Sequence, residues 1–224
     1  MNSIVLDSSS LISISKTCLI NVLPRLAEKA GFELVIPYRV EEETVERPRS
    51  IKQFELNALR IQHSIENGWL KVKKLEAEGR KKSDEFISLA NDLFYTDLGA
   101  LSIIQGGEAE TIGLVKESGA KLLAVDERNT RMLVEDIEGL KNYLQKKYGK
   151  IRMNEDNAEK MKELVSGINV IRSSEFIAWG FRQKMFEPDI ANSLQGLEAA
   201  LYAVKYSGCS VSEQEIRNFL KESQ

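Results

Sequence analysis

Several side-chain chemistries are nearly missing from this 224-residue chain. It has one histidine, His63, and two cysteines, Cys18 and Cys209, far apart in sequence. That inventory makes poor zinc material and argues against histidine-based acid–base catalysis. His63 lies in a polar helical stretch and reads as a surface residue. No structural disulfide is expected. No apolar run approaches the ~20 residues of a membrane span. The N-terminus passes straight into "SIVLD" with no basic leader and no small-residue cleavage site, so no signal peptide and a cytoplasmic location are expected. An excess of positive charge is also missing: 31 Lys and Arg stand against 34 Asp and Glu, a net charge of −3. Polyanion binding would have to rest on local basic patches or bound cations. There is no G-x-x-x-x-G-K-[ST], no G-x-G-x-x-G and no G-x-S-x-G, so nucleotide-binding and hydrolase-elbow signatures are excluded. What remains, 42% apolar and 29% charged residues, is enough for a globular chain with one good core.

Short apolar runs alternate with helical periodicity. "SIVLD" (3–7), "FELVIP" (32–37), "WLKVKKL" (69–75), "AKLLAVD" (120–126) and "GINVIRS" (167–173) read as strands, with 69–75 near an edge. "SSSLISISKTCLINVLPRLAEKAG" reads as one helix that Pro24 breaks or restarts. Residues 76–85 read as a polar loop, and "EFISLANDLFYTDLGALSIIQ" as a helix interrupted near Thr96. Ser212 and Glu215 fit a capping box. The alternation predicts an α/β fold with a mainly parallel sheet. A polar stretch at 138–166 reads as a mostly helical insertion, and 190–224 as C-terminal helices of a single domain spanning 1–224.

The acids are concentrated where such a sheet binds ligands, beyond the carboxyl ends of its strands. Asp7 and Asp126 each end an apolar run. Each alone fits a helix N-cap, since "DSSS" and "DERN" look like helix starts. On equivalent ends of neighbouring strands, about 4.8 Å apart, the two carboxylates would converge and call for a cation. Oxygen ligands suit Mg²⁺ or Mn²⁺. "GGEAET" places Glu108 and Glu110 at a helix start, where acids also favour the positive end of the dipole. Only one of them should face a given cleft, and Glu108, after two glycines, is preferred. "RVEEETVER" follows the strand "LVIP" to the same edge, although Glu43 could equally pair with Arg39 or Arg47.

Taken together, these segments resemble the PIN-domain ribonucleases. "IVLDSSSLISI" is similar to their opening strand-turn, an Asp followed two places on by Ser or Thr, here Asp7 and Ser9. "IPYRVEEETV" resembles their second acidic segment, with Glu43 at the matching place. "GGEAETIGLVKESGAKLLAVDERNTR" resembles the segment carrying the third and fourth acids, here Glu108 and Asp126. The last strand and closing helices resemble a prokaryotic PIN-like subgroup related to VapC-type toxins. Two positions depart from the pattern: Thr130 stands where alanine is common, and "VIRSSE" where Gly-Thr is more frequent.

The resemblance implies a three-layer α/β/α fold and a nuclease. Asp7, Glu43, Glu108 and Asp126 would hold one or two Mg²⁺ or Mn²⁺ ions for hydrolysis of an RNA phosphodiester, and Ser9 would orient a carboxylate or water. It also implies single-stranded RNA as substrate, an antitoxin protein as possible partner, and a homodimer. Basic runs at 71–74, 80–82 and 146–152 are candidate backbone contacts, though for each the reading as solvated surface is preferred. Two rival readings stand beside it: a PIN-like module that binds RNA or protein without cutting, and a metal-dependent phosphatase on a similar sheet.

Overall fold

Val5, Val35 and Leu123 sit in the middle of three apolar runs, and all are fully buried because their strands are covered on both faces. The structure, a computed structural model, describes residues 2–223. In chain order the strands are β1 (Asn2–Leu6), β2 (Phe32–Pro37), β3 (Leu70–Lys73), β4 (Phe94–Thr96), β5 (Gly99–Ala100), β6 (Leu122–Ala124), β7 (Arg152–Met153) and β8 (Asn169–Ile171). The helices are α1 (Ser8–Ser15), α2 (Val22–Ala30), α3 (Tyr38–Glu41), α4 (Lys52–Glu66), α5 (Ala77–Asn91), α6 (Gly106–Ser118), α7 (Arg128–Glu135), α8 (Ile137–Tyr148), α9 (Glu155–Val165), α10 (Ser173–Arg182), α11 (Leu194–Ser207) and α12 (Glu213–Glu222).

The central sheet has five parallel strands in the order β3-β2-β1-β6-β8. The chain first builds outward from β1 to β2 and β3, then crosses to β6 and β8. The order therefore reverses between β1 and β6, which is where an open α/β sheet forms its crevice. Side-chain parity divides the core into two layers. Ile4, Leu6, Leu34, Ile36 and Ala124 pack on one face against Leu11, Leu26, Phe176 and Leu201 of α1, α2, α10 and α11. Val5, Val35, Leu123 and Val125 pack on the other against Phe86, Ile112, Leu133 and Met161 of α5, α6, α7 and α9. The result is the expected three-layer α/β/α fold with a mainly parallel sheet. Residues 138–166 form most of α8, then β7 and α9, and bury Leu140, Leu144 and Leu164 in the second layer.

Three local expectations are corrected. The first long helix is two: α1 ends at Ser15, a turn spans 16–21, and Pro24 sits in the first turn of α2, where a missing N–H costs nothing. Residues 77–85 are helix, not loop. Glu117 of α6 accepts hydrogen bonds from the backbone N–H of Glu76 and of Gly79, both at 2.9 Å, and so caps α5 from a distant part of the chain. Residues 94–100 are a hairpin, not helix: β4 pairs antiparallel with β5 around Asp97-Leu98, and β7 adds a third strand. Gly99, at φ +122°, makes that turn possible.

Candidate active site

Asp7 ends β1 and begins α1, and it serves both elements. Its Oδ2 accepts from the Ser9 N–H at 3.0 Å and from the Ser9 hydroxyl at 2.6 Å, which caps the helix. Its Oδ1 has only a long 3.5 Å approach from the Ser8 hydroxyl. The same Ser8 hydroxyl lies 3.2 Å from Oε2 of Glu43, so one serine bridges two carboxylates. A helix cap and a weakly bonded ligand oxygen are thus compatible in this single buried side chain. Ser9 does more than orient Asp7: its oxygen also accepts from the N–H of Asp126 at 3.0 Å and of Glu127 at 3.2 Å, tying the loop after β1 to the loop after β6. Ser10 completes the junction with bonds to the carbonyls of Asp7 and Ala124.

Glu43 is delivered by a widened helical turn. After α3 the chain continues as a π-helical turn, Glu42–Glu46, closed by a 3.0 Å bond from Arg47 N–H to the Glu42 carbonyl. Such turns insert one residue into a helix and re-aim the side chains on it. Glu43 then lies across the start of α6. A methyl group added at Gly107 would fall on its carboxylate, with Oε1 and Cδ at 2.7 and 2.8 Å. The two glycines of "GGEAET" therefore admit Glu43 and, at Gly106, the guanidinium of Arg39. Arg39 Nε stands 3.6 Å from Glu43 Oε1.

Glu108 is the third residue of α6, and its Oε2 closes a capping box on the Gln105 N–H at 2.9 Å. Burial, and after it the negative charge of Asp7, push Glu108 up to about 7. Glu127 adds to the same repulsion. Burial likewise raises Asp7, against the pull of the Ser9 hydrogen bonds, and the charge of Glu43 adds to the rise. Asp7, Glu43, Glu108 and Glu127 are therefore electrostatic neighbours on one rim. Glu110, two residues beyond Glu108 along α6, is raised by burial and by the charges of Glu42 and Glu43, against the pull of Arg39.

Asp126 is placed differently. Its strand does neighbour β1, but the register pairs Leu6 with Ala124. Asp7 is then level with Val125, and Asp126 extends one residue further with the opposite parity. Its buried carboxylate faces α10: Oδ1 accepts from the Ser173 N–H at 2.7 Å and Oδ2 from the Ser173 hydroxyl at 2.6 Å. Burial raises its pKa and the two Ser173 bonds lower it. In this arrangement Ser173 engages both oxygens of Asp126, and adjacent positions on a strand point to opposite faces. Glu127 has the parity of Asp7. The signal was present in "LLAVDE": counting alternation from the buried Leu123 and Val125 puts 127, not 126, on the second face. Glu127 also caps α7, its carboxylate accepting from Thr130 N–H at 2.8 Å.

The donor set on the rim consists of carboxylate oxygens, the chemistry of a hard divalent cation. Glu43 and Glu108 each keep one oxygen outside the hydrogen bonds described above, and Oδ1 of Asp7 has only the long Ser8 approach. As placed, no three His, Cys, Asp or Glu among the described residues surround one point. The residues fit such an ion in chemistry and charge, and side-chain rotation would have to bring them onto it.

No helix among the described residues is long and apolar enough to cross a membrane. No curated protein and no solved structure matches the chain. PIN domains are of the nuclease type, typically served by divalent ions and acting on nucleic acid. The family model described as DUF3368, PIN domain, matches residues 3–141, more than half of the chain, and the chain belongs to this PIN-domain family.

Proposed function

We propose that the protein is a divalent-metal-dependent endoribonuclease acting on single-stranded RNA, with Asp7, Glu43 and Glu108 holding Mg²⁺ or Mn²⁺ and Glu127 completing the set. The observation that carries this reading is the gathering of carboxylates at the strand-order reversal, where the Ser8 hydroxyl lies between Asp7 and Glu43 and where burial, and after it the charge of Asp7, push Glu108 up to about 7. Repelling acids held together are what a bound cation relieves. When bound, the ion would supply positive charge at the scissile phosphate and lower the pKa of an attacking water. The chain's own residues do the positioning. Ser9 fixes one Asp7 oxygen, Ser8 spans Asp7 and Glu43, and the Gly106-Gly107 step lets Glu43 reach the start of α6. Asp126, the fourth acid implied by the resemblance, acts in this reading through Ser173 as a support for the rim.

Purified protein is expected to cleave a labelled single-stranded RNA with Mg²⁺ or Mn²⁺ and not after chelation. Asp7→Asn and Glu108→Gln should each lower the rate by about 100-fold or more. Unchanged cleavage in either variant would refute the assignment. The same resemblance supports a cytoplasmic toxin held by an antitoxin, acting as a homodimer; growth arrest on expression, relieved by Asp7→Asn, tests the toxin role. A non-cutting PIN-like module is the second reading, favoured by the absence, among the described residues, of three acids around one point. RNA affinity without heat of Mn²⁺ binding in a calorimetric titration would decide for it.

A further inference from the structure

We infer that a cationic groove beside the carboxylate rim is a nucleotide subsite, taking the backbone phosphate and a base of single-stranded RNA next to the bond to be cut. This rests on the ribonuclease reading above. The groove, about 490 Å³, runs between the α7–α8 pair and the α11–α12 connection, and is lined by Arg128, Arg131, Tyr143, Lys205, Ser210 and Glu215. It begins one residue after Glu127, so a strand lying across the rim runs into it.

The charges in the groove are unevenly compensated. Arg131 is paired with Glu135 at 3.2 Å, and Lys205 is only loosely paired with Glu213 at 3.5 Å. Glu215 is the one acid of the lining, and it is committed to Arg172 at 2.8 Å and to the Ser212 hydroxyl at 2.7 Å. Arg128 has no carboxylate partner among the described residues. It is exposed, its Nε donates to the Ser210 hydroxyl at 3.3 Å, and its guanidinium sits over the Tyr143 ring, 4.6 Å from the centroid. An uncompensated guanidinium stacked on an aromatic ring offers a phosphate contact and a planar platform together, the pairing that single-stranded nucleic acid uses. The wall opposite is rigid. Ser210 is held by its N–H on the Asp126 carbonyl at 3.2 Å and by Arg172 on its own carbonyl at 2.9 Å. An acidic peptide would have no use for the stacked ring, which is why RNA is preferred.

The test is fluorescence anisotropy with a labelled single-stranded RNA of about ten nucleotides, in chelator so that no cleavage occurs, over a range of salt. Arg128→Gln and Lys205→Gln should each weaken binding about fivefold to tenfold and flatten the salt dependence by about 0.7 in log–log slope per lost phosphate contact. Tyr143→Leu should weaken binding and Tyr143→Phe should retain it, since stacking needs the ring and not the hydroxyl. Lys160→Gln, at an exposed position of α9, is the control for general charge loss. Circular dichroism melts confirm that each variant is folded. Equal losses in Lys160→Gln, or no loss in Arg128→Gln and Lys205→Gln, would overturn the subsite. Wild-type protein that binds through these residues yet never cuts RNA would count against the nuclease reading and leave the groove standing.

Discussion

Replacing Ser9 with alanine tests whether its hydroxyl joins the two halves of the rim. One oxygen donates to Asp7 at 2.6 Å and accepts from the N–H groups of Asp126 and Glu127 at 3.0 and 3.2 Å. A net hydrogen bond is worth about 1 kcal/mol, and a buried donor left unpaired costs about 1–3 kcal/mol. Ser9 is half-buried, so water can recover part of the loss, which places the expected destabilisation at about 2–4 kcal/mol. For a chain of this length each kcal/mol moves the melting temperature by about 2–4 °C, so Ser9→Ala should melt about 5–15 °C lower. The neighbouring Ser8→Ala is the internal comparison. It removes only contacts at 3.2 and 3.5 Å at the rim surface and should cost less than about 1 kcal/mol. Thermal melts followed by circular dichroism read both. A Ser9→Ala melt within about 2 °C of wild type, or no lower than Ser8→Ala, would refute the joining role.

Two further outcomes are expected from the same geometry. Gly107→Ala removes a flexible residue from the first turn of α6, a gain of up to about 1 kcal/mol in stability. The added methyl would displace the Glu43 carboxylate, so RNA cleavage should fall at least about tenfold while the melting temperature holds or rises; a parallel loss of both would show that the methyl disturbs the helix instead. Against the upward pull of burial, hydrogen bonds from Ser212 and then Arg172 bring Glu215 down to about 2 from its ordinary 4.5. A carboxylate depressed in the folded state contributes stability that is complete above its unfolded value and is lost as pH falls through the folded one. Urea unfolding should therefore show stability declining from about pH 4.5 toward pH 2, with a shallower decline in Glu215→Gln; an identical slope in the variant would rule Glu215 out.

Elements with their determinants nearby were legible in the sequence, and those held by distant residues were not. The strands at 3–7, 32–37 and 120–126 announced themselves as apolar runs because both faces of the sheet are covered. The Ser212–Glu215 capping box was readable because both partners are local, and the structure forms it with bonds of 2.8 and 3.2 Å. The start of α5 was misread because its cap is Glu117, some forty positions downstream. The hairpin at 94–100 was misread because its strands are only three and two residues long. At the rim, residue types located Asp7, Glu43 and Glu108, but the choice between Asp126 and Glu127 depends on the register of β6 against β1. Arg128 and Lys205 are far apart in the chain, and only the fold shows that they line one groove.

The pairing of β6 with β8 bears on where the protein can be divided. The family match ends at residue 141, yet β6 lies between β1 and β8, and the buried carboxylate of Asp126 finds its partners at Ser173. A fragment stopped at 141 would turn an interior strand into an open edge, with unpaired backbone groups ready to recruit a strand from another chain. It would also remove the two Ser173 donors from the buried Asp126 carboxylate. The rim is thus built by the matched segment and closed by β8 and α10 beyond it, so the unit that can be expressed, crystallised or grafted extends well past the part that carries the acids.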